Sequence, residues 1–199
     1  VIDTNVQEDR LVACTVVSDN YMAGVQCARH LVSHAKGGQI ALLKHSEAKS
    51  GVDRIHGFMD TIAPYPAFAV VDSEECQGQL EQAMPAMERM LQRHSGIDIV
   101  MALNDPSALG AMAALQNAGR PPGSVRIYGG DGARETKQMV AGGDMTAADA
   151  QSPHPIARLA VKQAYDILAG QPPVHLVELP TMLITRDNIG DVNIAGWDQ

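Results

Sequence analysis

The chain has 199 residues, of which 45% are hydrophobic but only two are Phe and one is Trp, so an aliphatic core can form in one medium-sized domain or two small ones. Fifteen basic residues against 23 acidic ones give a formal net charge of −8, and no segment gathers Lys and Arg, which argues against a nucleic-acid partner. No apolar run approaches the roughly 18 residues that span a bilayer, and no basic-then-apolar signal pattern opens the chain, so we expect it to be soluble.

Short apolar or β-branched runs alternate with longer segments of helical period along the whole chain. In chain order, the pattern predicts strand 11–17, helix 20–33, strand 39–43, helix 51–62, strand 68–71, helix 79–93, strand 97–103, helix 106–117, strand 125–128, helix 133–141, strand 145–148, helix 155–169 and strand 174–179. Continuous apolar strands such as IVMAL are typical of a parallel sheet that is covered on both faces. We therefore predict an α/β fold, an open parallel sheet with helices on both faces.

Polar side chains follow the predicted strands at their carboxyl ends, where open parallel sheets bind ligands. Asn104 and Asp105 follow one strand, Asp131 the next and Gln151 a third, while Arg54 lies in the first turns of a helix that follows another strand. These planar groups donate and accept hydrogen bonds, so they match a small ligand with neighbouring hydroxyls. A sugar fits that description.

Each of these residues also has a purely structural interpretation. Asn104 or Asp105 can cap the following helix, and Asp105 is the preferred cap. Asp131 lies between glycines and suits a turn. Gln151 can be an exposed loop amide and Arg54 a surface ion pair. The argument for a ligand site therefore depends on all of them meeting at one edge of the sheet.

The cysteines and histidines offer weaker candidates for a site. Cys14, Cys27 and Cys76 lack the spacing of a zinc site, and both a Cys14–Cys27 disulfide and isolated buried thiols are compatible with the sequence. His30 and His34 share a helix face, but solvated basic residues near a helix end explain them better than a metal does. We predict no metal site and no cofactor.

Other motifs argue against an enzyme. The stretch 129–132 is not a GxGxxG dinucleotide fingerprint, and the chain contains neither a phosphate-binding P-loop nor a GxSxG nucleophile motif. Met84, Met87 and Met90 recur at helical spacing, which predicts core packing rather than a cofactor site. No set of residues for covalent catalysis emerges. The sequence therefore predicts a binding protein without catalytic activity.

Five stretches of the sequence together resemble one family. They are VSDN at 17–20 followed by AG at 23–24, GVDRIHGF at 51–58, ALNDPSALGA at 102–111, YGGDG at 128–132, and TAADAQSP at 146–153. In order and spacing these stretches resemble the ribose-type sugar-binding proteins of bacterial ABC importers. The resemblance covers essentially the whole chain and implies the type I periplasmic binding-protein fold, in which two α/β lobes close over a sugar.

The resemblance also implies ligand contacts. Matched residue by residue, it assigns sugar hydroxyls to Arg54, Asn104, Asp131 and Gln151, the four residues already selected at the strand ends. It adds Asn5, which takes the place of a sugar-binding Asp. The corresponding Arg is replaced by an apolar residue here, and an aromatic ring is replaced by the Cys-Gln-Gly at 76–78. We therefore expect a monosaccharide, pentose or hexose, rather than ribose in particular.

The resemblance implies an uneven division into lobes. Family members carry roughly another hundred residues before the start of this chain, the size of an ordinary small domain. Residues 1–18 and 152–181 are then a remnant of the amino-terminal lobe, and residues 19–151 and 182–199 form a near-complete carboxyl-terminal sugar-binding lobe. The helix at 155–169 is expected to expose an apolar face and to promote association.

These observations together predict a solute-binding protein of a bacterial ABC transporter. It is expected to bind its sugar in the periplasm or outside the cell membrane and to present it to a membrane permease. An alternative with the same fold is the sugar-responsive effector domain of a LacI-type repressor, which requires a helix-turn-helix before Val1.

Overall fold

The protein is described here by a computed structural model that covers residues 1–6 and 8–197. Strands and helices alternate from the first strand to the sixth helix. In chain order the elements are β1 (Thr15–Ser18), α1 (Asn20–His34), β2 (Gly38–Lys44), α2 (Lys49–Ile62), β3 (Phe68–Glu75), α3 (Leu80–Arg93), β4 (Ile99–Ala102), α4 (Asp105–Asn117), β5 (Arg126–Asp131), α5 (Arg134–Gly142), β6 (Ala147–Ala150), α6 (Pro153–Leu168), β7 (Leu176–Leu179) and β8 (Met182–Thr185).

The main sheet has six strands in the order β3-β2-β4-β5-β6-β8. Its first five strands run parallel, and β8 pairs antiparallel with β6 at the edge. The prediction of an open parallel sheet with helices on both faces is therefore confirmed, except that it did not include the antiparallel edge strand β8. The strand β8 was not predicted, because a run of four residues at an edge is too short to show periodicity.

A second, smaller sheet consists of β1 and β7, which pair in parallel. Ile2 adds an isolated bridge to Val16. The strand β1 starts later than predicted, because Asp9–Leu11 forms a short 3-10 helix instead of extending the strand. The helix α6 packs against β1 around a small core of Cys14, Val16, Ile156 and Ala160.

The helices α1 and α2 approach each other closely at two glycines. A Cβ added to Gly24 would lie 1.9 Å from the carbonyl oxygen of Arg54, and one added to Gly57 would lie 2.0 Å from that of Tyr21. Only residues without a side chain permit this backbone contact. The glycines of the AG and HGF motifs therefore fix how α2, and Arg54 with it, sits against α1.

The core of the main sheet is aliphatic and complete on both faces. All four residues of β4 are buried, as are Met87 and Met90, with Met84 packed at the core's margin, which confirms the packing role predicted for these methionines. Cys14, Cys27 and Cys76 are free and buried, so the Cys14–Cys27 disulfide does not form.

The helix α6 carries the exposed apolar face that its sequence predicted. Val161, Tyr165 and Leu168 are exposed, with 83% of Leu168 accessible to solvent. Among the residues that the structure describes, no helix combines the length and the apolar character needed to cross a membrane.

Candidate functional site

Four of the five predicted ligand residues line one cleft. Arg54, Asn104, Asp131 and Gln151 meet at the carboxyl ends of the main-sheet strands, around a cavity of about 240 Å³. The other lining residues are Asp3, Thr4, His45, Ala48, Ser50, Gln77, Gly78 and Leu103. The edge of the sheet thus brings together the four predicted residues, which are separated by up to about half the chain in sequence, as the strand-end argument predicts.

Arg54 is buried in this cleft rather than exposed in a surface ion pair. It is 6% exposed, and its Nε donates to Asn20 Oδ1 at 2.9 Å. Its Nη1 donates to the Leu103 carbonyl at 2.8 Å and to Asp131 Oδ1 at 2.9 Å. A buried guanidinium needs such partners, because its desolvation is costly unless hydrogen bonds and an opposite charge compensate. The surface interpretation of Arg54 is therefore wrong.

Asp131 ends β5 in an unusual backbone conformation. Its φ of 142° is rare for any residue with a side chain. The preceding Gly130 leaves room for the guanidinium of Arg54, whose Nη1 would lie 3.3 Å from an added Cβ. Asp131 Oδ1 accepts from Arg54 and, at 2.7 Å, from Gln151 Nε2. The strained backbone of Asp131 thus places its carboxylate in the cleft. Strained residues of this kind cluster at functional sites.

The structure reverses the predicted capping of α4. The helix begins at Asp105, one residue earlier than predicted, so Asn104 is its N-cap. Asn104 Oδ1 accepts from the backbone N–H of Ser107 at 3.1 Å and from its hydroxyl at 2.6 Å, and Asn104 Nδ2 donates to the Gly78 carbonyl at 3.0 Å. Asp105 is buried and instead accepts from the Ala133 N–H at 2.7 Å. The expectation that Asp105 caps this helix is wrong, and Asn104 combines capping with a place in the cleft.

Gln151 joins the two sheets at the cleft. Its side-chain Oε1 accepts from the Ser18 hydroxyl at 2.8 Å, and its backbone N–H donates to the Asp131 carbonyl at 3.0 Å. Ser18 is the last residue of β1 in the smaller sheet. The interpretation of Gln151 as an exposed loop amide is therefore wrong, since its side chain is held from both sides.

Two buried carboxylic acids stand behind the cleft. Burial, and after it the charge of Asp131, raise the pKa of Asp105 to about 7, although the hydrogen bond from the Ala133 N–H opposes the shift. Burial likewise raises the pKa of Asp149, on β6, to about 6. A side-chain hydrogen bond from Thr181 and the charge of Arg54 oppose this shift. Near neutral pH these two groups therefore carry less than their full negative charge.

The first residues of the chain reach the cleft through Asp3 and Thr4 rather than through Asn5. Asp3 and Thr4 belong to the lining, whereas Asn5 is half-buried outside it, and a ligand contact from Asn5 stays a prediction. Asp3 follows the apolar pair Val1-Ile2, and the structure shows Ile2 bridged to Val16 of β1, but the sequence did not identify this pair as a strand. Two residues are too short a run to mark a strand by periodicity.

The paired histidines of α1 are engaged with their surroundings. The rings of His30 and His34 stack with centroids 4.0 Å apart. His30 Nδ1 lies 3.0 Å from the Tyr128 hydroxyl, and His34 Nδ1 lies 2.8 Å from the His30 carbonyl oxygen. Within residues 1–6 and 8–197, no group of three or more His, Cys, Asp or Glu side chains is arranged to hold a metal ion.

A larger hollow of about 350 Å³ lies at the opposite end of the sheet. It is bounded by α4, α5 and the loop before β5, and its lining is mostly apolar, including Leu109, Met112 and Met139. It borders the amino end of β5 through Val125 and Ile127. Ligands of open α/β sheets bind at the carboxyl ends of strands, so the smaller polar cleft is the candidate site.

The chain is similar to sugar-binding proteins in sequence. Residues 1–172 match the periplasmic binding protein domain family. The D-allose-binding periplasmic protein of Escherichia coli K12 is 30% identical over 154 residues, covering 76% of this chain and 49% of that protein. The D-apiose import binding protein of Paraburkholderia graminis is 28% identical over 201 aligned positions, covering 98% of this chain and 63% of that protein. The predicted resemblance is confirmed.

The fold is similar to that of a solved sugar-binding protein. The periplasmic binding protein component of the arabinose ABC transporter from Shewanella sp. ANA-3, bound to L-arabinofuranose, superposes with a TM-score of 0.87. The two are 26% identical, and the match covers 95% of this chain and 65% of that one. The chain thus spans between about half and just under two thirds of the proteins it matches.

Proposed function

Because the chain belongs to the periplasmic binding protein family, we propose that it forms the larger part of a solute-binding protein that captures a monosaccharide, pentose or hexose, for a bacterial ABC importer. The observation that carries this proposal is the convergence of Arg54, Asn104, Asp131 and Gln151 on one cleft. A guanidinium that donates and a carboxylate that accepts charge-assisted hydrogen bonds suit vicinal hydroxyls. Relatives named for D-allose and D-apiose support the substrate class.

The two sheets support a closing mechanism. We propose that residues 1–18 and 152–181 belong to one lobe and that residues 19–151 with 182–199 belong to the other. The smaller sheet and α6 fall within the first set, and the main sheet within the second. Asp3 and Thr4 would then reach the cleft from one side and Arg54 and Asp131 from the other. Closure of the lobes over a sugar would desolvate these contacts and strengthen them.

The place of action and the partner follow from the same relatives. The similar proteins are named as periplasmic or as import binding proteins. We therefore propose that this protein works in the periplasm or on the outer side of the cell membrane and delivers its sugar to a permease, without catalysing a reaction.

A thermal-shift screen of pentoses and hexoses on the whole protein tests the proposal. A sugar at a hundred times its dissociation constant adds about 2.7 kcal/mol to the free energy of unfolding. The hits are then measured by calorimetry on the protein and on Asp131→Ala, with Asp53→Ala as the control. Asp53 is also an acidic residue, but it pairs with Lys49 on α2 and does not line the cleft.

We expect at least one monosaccharide to bind, Asp131→Ala to weaken it by a factor of about a hundred, and the Asp53 variant to bind normally. Failure of every monosaccharide to stabilise the whole protein contradicts the proposed function. Equal binding by Asp131→Ala and the unaltered protein contradicts the site.

A further inference from the structure

Five residues around the cleft form a closed chain of hydrogen bonds, called the ring, in which every link joins side chains except the one from Asn20 to the Ser18 backbone carbonyl. Its members are Ser18, Asn20, Arg54, Asp131 and Gln151. We propose that Ser18 and Asn20, which do not line the cleft, are positioning residues that orient Gln151 and Arg54 for the ligand. This inference rests on the proposed function and extends it to two residues behind the binding surface.

Asn20 orients the guanidinium of Arg54. Its amide Nδ2 donates to the Ser18 carbonyl at 3.0 Å, which turns Oδ1 toward Arg54 Nε, 2.9 Å away. With Nε held there and Nη1 bound to Leu103 and Asp131, only Nη2 makes no hydrogen bond to a described residue. Because Asn20 is 4% exposed, water does not substitute for it easily. The ring thus keeps one nitrogen of the guanidinium for a ligand oxygen.

Ser18 orients the amide of Gln151 in the same way. The Ser18 hydroxyl donates to Gln151 Oε1, so the amide nitrogen Nε2 faces Asp131 and donates to its Oδ1. Arg54 donates to that same Oδ1. Two donors therefore share one carboxylate oxygen, and Oδ2 makes no hydrogen bond to a described residue. A carboxylate oxygen in this position accepts from a sugar hydroxyl.

The ring also crosses between the two sheets. Ser18 ends β1 of the smaller sheet, whereas Asp131 ends β5 of the main sheet and Gln151 follows β6. The polar groups of the cleft are thus held in one arrangement before any ligand arrives, so binding loses little side-chain entropy. Loss of a ring member behind the cleft should therefore weaken binding even though that member never touches the sugar.

The test compares Asn20→Ala with Asn20→Asp in the whole protein. The Asp variant keeps an oxygen that accepts from Arg54 Nε, and the Ala variant does not. Gln26→Ala is the control, because Gln26 lies on the same helix and bonds to Thr181 outside the ring. Two quantities are measured: the dissociation constant of the sugar found in the screen, and the solvent-exchange rate of the Arg54 Nε–H proton by NMR without sugar. Arg54→Lys identifies that signal.

We expect Asn20→Ala to raise the dissociation constant roughly tenfold and to speed exchange of the Nε–H proton, since a hydrogen bond to a charged group is lost. Asn20→Asp keeps an acceptor for Arg54 Nε but loses the donor to the Ser18 carbonyl, so it should restore both values in part, and the Gln26 variant should change neither. Unchanged exchange and affinity in a folded Asn20→Ala protein overturns the inference, as does a matching change in the Gln26 variant. If Asn20→Ala does not fold, the same test is made with Ser18→Ala, in which the solvent-exchange rate of the Gln151 amide protons should rise together with the dissociation constant of the sugar. If the protein binds no sugar, the proposed function is contradicted, whereas the exchange rate of the Nε–H proton still shows whether Asn20 holds the Arg54 side chain in place.

Discussion

The main sheet and the smaller sheet bury their apolar surface to very different degrees. Six strands covered by helices on both faces give the main sheet a continuous aliphatic core, whereas β1, β7 and α6 share a core of only four buried residues. The smaller sheet also leaves Tyr165 and Leu168 of α6 exposed. The difference teaches that most of the stability of the chain comes from the main sheet. The cleft lies between the two sheets, so one of its sides is stabilised by a large core and the other by a small one.

The largest effect is expected when one buried Ile is replaced by Ala in each of the two cores and the losses of unfolding free energy are compared. Ile40 on β2 and Ile156 on α6 are both buried, one in each core. Truncation of a buried Ile to Ala lowers the free energy of unfolding by about 2–5 kcal/mol, and the loss is larger where neighbouring side chains cannot collapse into the cavity. We expect Ile40→Ala near the upper end of that range and Ile156→Ala near the lower end, measured by urea unfolding. Equal losses of unfolding free energy would show that the smaller core is as well packed as the larger.

The second prediction concerns the close contact between α1 and α2, which pack on the main sheet. A Cβ at Gly24 collides with the Arg54 carbonyl, so we expect Gly24→Ala to cost about 3 kcal/mol and to weaken sugar binding by displacing α2. Gly190→Ala is the matched control, because nothing lies within 4 Å of its added Cβ. Its unfolding free energy should change by less than about 0.5 kcal/mol. A tolerated Gly24→Ala would mean that the helices can separate freely.

The buried acid of β6 makes the stability of the main sheet depend on pH. The pKa of Asp149 is raised to about 6 in the folded protein, so the folded state holds a proton that the unfolded state loses first. The stability linked to this group is therefore complete at low pH, below the pKa of the unfolded group, and is lost as pH rises through about 6. We expect Asp149→Asn to raise the unfolding free energy by on the order of 2 kcal/mol at pH 7.5, and by much less at pH 4.5.

The control for this prediction lies on the smaller sheet's helix. Asp166 of α6 is half-buried and forms a surface pair with Lys162, so Asp166→Asn should change the unfolding free energy by less than about 0.5 kcal/mol at either pH. The measurement is urea unfolding of both variants at the two pH values. A gain from Asp149→Asn that is the same at both would contradict the assignment of the pH dependence to this carboxyl group.

The smallest effect is expected on the exposed face of α6. Because Tyr165 and Leu168 are largely exposed, Tyr165→Lys with Leu168→Lys should change the unfolding free energy by less than about 0.5 kcal/mol. The same change should reduce any self-association of this chain, since it interrupts an apolar surface. Sedimentation velocity with unfolding measurements checks both expectations. A large loss of stability would place this face inside a core.

The order of strands and helices and the edge of the sheet that carries the cleft could be predicted, because both depend on the pattern of apolar and polar residues along the chain. Apolar runs such as β4 identified the buried parallel strands, and the polar residues that follow them identified the edge where the cleft lies. Arg54, Asp131 and Gln151 were selected in this way and line it together. The edge strand β8 was not predicted because its four residues form too short a run to show either a buried apolar strand or an alternation of polar and apolar residues.

The details of the site were less accessible. Asp105 and Asn104 are adjacent and both are good capping residues, so local propensity did not decide which of them caps α4. In the structure Asn104 caps the helix, because Asp105 instead accepts a hydrogen bond from the N–H of Ala133, the residue that precedes α5. Asp3 was overlooked because the apolar run before it is only two residues long.

By itself, the sequence determined the alternation of strands and helices, the side of the sheet that carries polar groups, and the family to which the motifs belong. Each of these depends on residues that are neighbours along the chain. Only the tertiary structure decided which polar atoms are already occupied and which remain for a ligand. Ser18 and Gln151 are 133 residues apart, yet their hydrogen bond sets the direction of an amide in the cleft. Such pairings depend on how distant strands end beside one another, so no local pattern encodes them.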